Sequence, residues 1–149
     1  MAAITGKIPG KGTIFSVETA TPGTYVVVGN VTTIAGPNIE VSEKDDTVLT
    51  DTVKKTSPGL NDGGDITVSL FYTPAEAGIA RLIALLNETD PDKKIVSVKL
   101  TLNDNIVSGS KTSVTASGWV KSIHLNGMEQ DGNVGAEVGI RLTTIATLS

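Results

Sequence analysis

The sequence predicts a mainly β domain, a sandwich or barrel of about seven strands with one flanking α-helix. Segments that alternate apolar and polar residues recur along the chain, as in Ile66, Val68, Leu70 and Tyr72 or Val96, Val98, Leu100 and Leu102. Turn material rich in glycine, proline and asparagine separates them. Only after Thr73 does the spacing become helical. A chain of 149 residues has the size of one domain, residues 1–149, large enough for a core without disulfides, and it contains no cysteine.

Residues 1–11 place Gly6, Pro9 and Gly10 around isolated apolar side chains and read as a flexible N-terminal arm. Thr13 to Glu18 is a short strand closed by Thr21, Pro22 and Gly23. Tyr25 to Val31 follows as a strand whose Val26, Val27 and Val28 put branched side chains on both faces. A sheet with one wet face does not look like that. Either the domain itself covers the second face, or another copy does, which makes Val26 and Val28 candidates for a subunit interface. After Gly36 and Pro37, Ile39 and Val41 alternate with Glu40 and Ser42.

Residues 43–64 lack a clear core pattern, and such a length is uncommon in a compact domain unless it has a task. Pro58 and Gly59 interrupt any regular element there. The stretch is either a solvated loop or a hairpin that packs on a neighbouring subunit through Val48, Leu49, Val53, Pro58 and Leu60. The helix starts at a capping box, Thr73 with Glu76, with Pro74 at its first position. Ala75, Ile79, Leu82, Ile83 and Leu86 form its apolar stripe, of which Ile79, Leu82, Ile83 and Leu86 are assigned to the core, and Asp90 with Pro91 ends it. Ile95 to Leu102 is a strand with a turn at Asn103 to Asn105. Ser113 to Leu125 is a long strand with a bulge at Gly118, and Val134 to Ala146 closes the chain with alternating apolar residues.

The chemistry of catalysis is missing. His124 is the one histidine, there is no cysteine nucleophile, and no Gly-x-Ser-x-Gly elbow occurs. Gly10, Lys11, Gly12 and Thr13 lack the upstream glycine of a phosphate loop. Asn61, Asp62 and Asp65 lack the distal glutamate of a calcium loop and read as a glycine-rich turn. A net charge of −4 and five aromatic residues argue against a surface that grips nucleic acid. No apolar run reaches the ~20 residues of a membrane span, so the expectation is no membrane contact and folding in the cytoplasm.

The order of four features carries a resemblance: the strand KGTIFSVE, the acidic stretch Asp45 to Asp51, the passage GDITVSLFYTPAEAG, and Gly118-Trp119-Val120-Lys121-Ser122-Ile123 before a final alternating strand. Together they resemble the major tail tube proteins of lambda-like, long-tailed bacteriophages, over roughly the whole chain. The resemblance implies the phage tail tube fold, six copies in a ring, and rings stacked into a hollow tube through which genomic DNA is ejected. It implies no cofactor and no metal. Its expected partners are further copies of the chain, the tape measure protein, the tail terminator and distal tail or baseplate proteins, with double-stranded DNA passing without specific binding. The place would be the virion tail, assembled in the host cytoplasm.

On that reading residues 43–64 are an assembly loop, disordered until it meets another copy. Seven acids against three lysines between Glu40 and Asp65 suggest a bore that repels DNA, with Glu40, Glu43, Asp45 and Asp46 as its candidates. The alternatives are the inner tube of a contractile tail or injection system and, less favoured, a stand-alone β-sandwich binding module. An enzyme is the weakest candidate.

Overall fold

The computed structural model describes residues 8–103 and 111–144. The first seven residues of the arm, Asp104 and Asn105 of the expected turn, and Ala146 lie outside the described residues. Among those described are nine strands and two helices: β1 (Ile14–Glu18), β2 (Tyr25–Val27), β3 (Val31–Ala35), β4 (Glu40–Asp45), β5 (Thr56–Asp62), β6 (Asp65–Phe71), α1 (Ala77–Leu86), α2 (Pro91–Lys94), β7 (Val96–Thr101), β8 (Ser113–Asn126) and β9 (Gly135–Leu142). Seven strands form one antiparallel sheet in the order β2-β1-β7-β8-β9-β6-β3, and β4 and β5 pair only with each other. The mainly β architecture with a flanking helix is as the alternation predicts.

The connectivity explains why this sheet is a barrel-like shell. β2 and β3 lie at its opposite margins, yet only Val28, Gly29 and Asn30 separate them in the chain. Laid flat, seven strands would hold those margins about 29 Å apart at the usual interstrand spacing, whereas the four peptide steps from Val27 to Val31 reach at most ~14 Å. The sheet must curl until the end of β2 and the start of β3 come together at this corner, although the two strands do not pair with each other. At the seam the Val28 amide donates to the Phe15 carbonyl (2.9 Å) and the Phe71 amide to the Asn30 carbonyl (2.9 Å). Asn30 turns the corner with φ 60, a conformation asparagine tolerates better than most residues.

This corner divides the strand expected over Tyr25 to Val31 into two. It also settles Val28, which is 3% exposed inside the shell and therefore unavailable to a neighbouring subunit. Val26 is partly buried and packs against the same core. Val27, facing the other way, is 52% exposed, so the domain covers only one face of the valine run.

The inward residues of β1, β6, β7, β8 and β9 fill the shell, with Phe15, Val17, Ile66, Val68, Val98, Val138 and Ile140 at its centre. α1 closes it by packing on β8, β1 and β2. Ile79 and Leu82 are buried as expected, Ile83 and Leu86 are half-buried, and Leu85, not assigned to the stripe, is 1% exposed. The capping box does not form. The Thr73 hydroxyl accepts instead from the Asn30 side chain (3.1 Å), Glu76 caps without a side-chain hydrogen bond, and Thr73 to Glu76 is a turn, so the helix begins at Ala77 and leaves Ala75 exposed. Asp90 and Pro91, expected only to end a helix, start the one-turn α2, in which Asp90 caps the Asp92 amide (3.1 Å).

Gly78 decides how closely α1 can sit. A Cβ there would lie 2.5 Å from the Val27 carbonyl oxygen and 2.6 Å from the Val28 Cα. Alanine is the better helix former by about 1 kcal/mol, but forcing a methyl against backbone costs about 1–3 kcal/mol. Gly78→Ala is therefore expected to lower stability in chemical denaturation; an increase would show that α1 is free to move outward.

The bulge lies between Val120 and Ser122, not at Gly118. Inward parity runs unbroken through Val114, Ala116, Gly118 and Val120. Gly118 has another role, because a Cβ on it would sit 2.5 Å from the Arg141 carbonyl oxygen.

Candidate assembly surface

Residues 43–64 are for the most part a hairpin. β4 and β5 pair from Glu40–Asp62 to Asp45–Thr56, with a register shift between Val41 and Glu43 that accommodates Pro58 and Gly59 in β5. Proline is tolerated because β5 is an edge strand with no further partner to supply. Every residue of β4 is exposed, and so is every residue of β5 except Ser57. Neither face of the ribbon is covered, so it projects from the shell.

The hairpin tip is ordered by its own polar groups, against the expectation of a disordered loop. The Thr47 amide donates to the Asp45 carboxylate (3.0 Å) and the Val48 amide to that of Asp51 (2.9 Å). The Lys55 amide donates to the Thr47 hydroxyl (2.8 Å), and Lys55 pairs with Asp51 (3.0 Å). What this framework holds out is apolar. Leu49 is fully exposed, and Val48, Val53, Leu60 and Val41 are each more than half exposed. Val41 was not among the sequence candidates, because alternation with Glu40 and Ser42 gave it the look of a core residue.

At the root, Arg141 on β9 reaches Asp62 at the end of β5 (3.0 Å) and Asp65 at the start of β6 (3.3 Å). Asp62 also accepts from the Gly64 amide (2.9 Å). These acids, weighed as a calcium clasp, are thus engaged by an arginine. Gly64 has φ 74 and no room for a Cβ beneath the Asn38 carbonyl, so both legs of the hairpin are fixed where they leave the shell. Among the described residues no group of three or more histidine, aspartate or glutamate side chains is placed to hold a metal ion.

The four bore candidates are all exposed, but they do not share a face. Strand alternation puts Glu43 and Asp45 on one side of β4 and Glu40 on the other, while Asp46 lies beyond the strand. The Thr47 amide holds the Asp45 carboxyl below its ordinary value of 3.8, and the Val48 amide followed by Lys55 does the same for Asp51. Groups lowered by folding contribute stability above the ordinary value and lose it as pH falls through the lower, folded one. In a proton-nitrogen spectrum, the Thr47 and Val48 amide shifts are expected to titrate with midpoints below 3.8; midpoints at or above that value would contradict the tip hydrogen bonds.

The other features weighed in the sequence lie apart from the hairpin. Gly10 to Thr13, weighed as a phosphate loop, line an open cleft of about 650 Å³ together with Val31 to Ile34, Gly36, Leu100 and Leu102, and Asn103 ties the Lys11 carbonyl (3.0 Å). His124 is exposed at the edge of the bulged half of β8, opposite Glu137.

Other exposed apolar side chains escaped the sequence. Phe71, Leu125, Val134 and Met128 are 46%, 39%, 39% and 69% exposed. Register places them at one end of the sheet but not on one face: Phe71 and Asn126 both pair with Gly135, whereas Leu125 pairs with the buried Ala136, and Val134 shares its parity. Leu125 and Val134 have core parity but stand where the strands run out, beyond the reach of the core.

No family model matches the chain, and no curated protein matches it. Solved structures do. The SPP1 tail tube is 11% identical with a TM-score of 0.68, covering 96% of this chain and 80% of that one. The tail of an empty GTA particle, refined with C6 symmetry, is 12% identical with a TM-score of 0.68, covering 95% and 98%. The sheath-tube complex of the extracellular contractile injection system PVC in its extended state is 16% identical with a TM-score of 0.65, covering 98% and 95%. The chain has the fold of tail tube proteins.

Proposed function

We propose that this chain is the structural subunit of a tail tube, six copies closing a ring and rings stacking into a hollow conduit for genomic DNA. The observation that carries this is the β4–β5 hairpin, a rigid prong with five exposed apolar side chains, Val41, Val48, Leu49, Val53 and Leu60, on a domain whose fold is that of tube proteins over nearly its whole length. Such a prong is finished only by another molecule. Of the interface candidates, Val48, Leu49, Val53, Pro58 and Leu60 lie exposed on this hairpin, Val26 is half-buried and Val28 is buried.

Magnitudes bear on how assembly is controlled. Covering five such side chains at about 1.5–3 kcal/mol each is of the same order as the ~4–15 kcal/mol that association costs in lost freedom. One hairpin contact only balances that cost. Growth then depends on each subunit making contacts with several others at once, as at the end of an existing ring. The free margins of β2 and β3 would supply part of this by pairing with neighbours.

In the tube, Glu43 and Asp45 form the one pair among the candidates able to face a bore together, and like charge there would keep DNA from adhering. The tape measure protein, terminator and distal tail or baseplate proteins are the partners such a tube requires, and the virion tail is its place. Its work is mechanical, without catalysis or cofactor. The narrower assignment to long, non-contractile tails comes from the sequence resemblance. Likeness to the PVC sheath-tube complex favours a second reading, an inner tube within a sheath. Sedimentation and negative-stain microscopy of the purified chain at rising concentration test the proposal: rings or tubes support it, and a monomer at every concentration refutes it. Pull-down with a contractile sheath protein separates the two readings.

A further inference from the structure

The hairpin meets the shell only at its root, since β4 and β5 pack extensively on nothing but each other. Among the described residues one side-chain bond joins the hairpin to a strand of the sheet, from Arg141 Nη2 to Asp62 Oδ1 (3.0 Å). The other nitrogen of the same guanidinium, Nη1, holds Asp65 (3.3 Å), the register partner of Arg141 on β6. Only Gly63 and Gly64 lie between the two acids, and the other leg leaves the sheet through Gly36. The legs pass so close that a Cβ at Gly36 would lie 2.5 Å from the Asp65 carbonyl oxygen, and one at Gly64 would run into the Asn38 carbonyl. Both crossings need glycine, and glycine leaves a pivot that no side chain wedges.

The pivot matters because the hairpin is a lever. Its β5 leg, Thr56–Asp62, is roughly 20 Å long, so a swing of about 10° at the root moves the far end by roughly 3 Å. A radial gap of about 1 Å already forfeits a large part of a packing contact. We propose that Arg141 is the positioning residue of assembly: its fork ties the hairpin to the sheet across the glycine joint and presents Val48, Leu49 and Val53 at one fixed angle. This rests on the tube reading and adds what holds the hairpin ready. The tie needs the planar fork, because two nitrogens of one guanidinium serve two carboxylates, whereas a lysine ammonium is one compact head on a flexible stem. All three side chains are more than a third exposed, so the tie adds little to global stability.

Arg141→Gln and Arg141→Lys are therefore expected to melt as the parent does. The chain has no cysteine, so nitroxide labels on Thr50→Cys at the tip and Lys121→Cys on β8, both exposed, report the hairpin angle as a distance in pulsed electron paramagnetic resonance below the assembling concentration. The tip is held by its own hydrogen bonds, so a broadened distance reports the root. The expected result is a narrow distribution with Arg141 in place, a broad one in both variants, and loss of tube growth by the unlabelled variants at the parent's assembling concentration. Asp62→Ala removes the same tie from its other side, so adding Arg141→Gln to it should bring no further broadening. An unchanged distribution in Arg141→Gln would overturn the tie and leave the tube reading standing. A broad distribution with tubes at the parent's concentration would overturn the part of Arg141 in assembly, and a narrow one in Arg141→Lys would overturn the need for the fork. Absence of rings and tubes from the unmodified chain would remove the tube reading and the assembly role with it, while the distances still decide the tie.

Discussion

Excising residues 41–61 and joining Glu40 to Asp62 through an Asn-Gly turn is expected to leave a folded domain that does not assemble at any concentration. Glu40 and Asp62 are register partners, about 4.5–5.5 Å apart at their Cα atoms, and a two-residue loop of that type closes such a pair. Nothing removed belongs to the core: every excised residue is exposed except Asp51 and Ser57, which are half-buried. The joint survives, because Asp62, Gly64, Asp65 and Arg141 all remain. The variant should therefore unfold with the cooperativity of the parent and sediment as a monomer. If it forms normal tubes, the hairpin is not the assembling element and the sheet margins suffice without it.

Leu82→Asp is expected to yield no folded protein. Leu82 is fully buried on α1, where the helix closes the shell. Truncation to alanine there would cost about 2–5 kcal/mol, a survivable fraction of the ~5–15 kcal/mol by which domains are stable. An aspartate adds an unpaired carboxylate to the lost packing. Among the described residues no arginine or lysine is wholly buried, so none is at hand within the core to pair with it. Leu82→Ala should show a lowered but cooperative transition, and Ala84→Asp, on the exposed side of the same helix, should behave as the parent. A cooperative transition for Leu82→Asp would mean that the core does not need the helix.

Much of the fold was legible because the strands that fill the shell have one dry face. Ile66 to Leu70, Val96 to Leu100 and Ala136 to Leu142 alternate so strictly that the inward face follows from the residues alone. The misreadings came where a local pattern met a non-local partner. The Tyr25 to Val31 run looks like one strand until the curl of the sheet requires a corner at Asn30, and nothing within seven residues announces that closure. Thr73 and Glu76 have the spacing of a cap, but Asn30, 43 positions away, occupies the hydroxyl.

The exposed apolar side chains were half legible for the same reason. Apolar residues amid charge over 43–64 marked the hairpin, whereas Leu125 and Val134 read as core, because parity gives the face of a strand and not how far the core extends along it. The acids of β4 were counted correctly, but their facing could be assigned only once the strand bounds placed Glu40 opposite Glu43 and Asp45.

Helical reconstruction from electron micrographs of the purified, concentrated chain tests the central claim most directly. The expected map is a hollow tube of stacked rings in which each β4–β5 hairpin packs on another copy and its Leu49 is covered. A persistent monomer, or an assembly whose hairpins all end free in solvent, would contradict it.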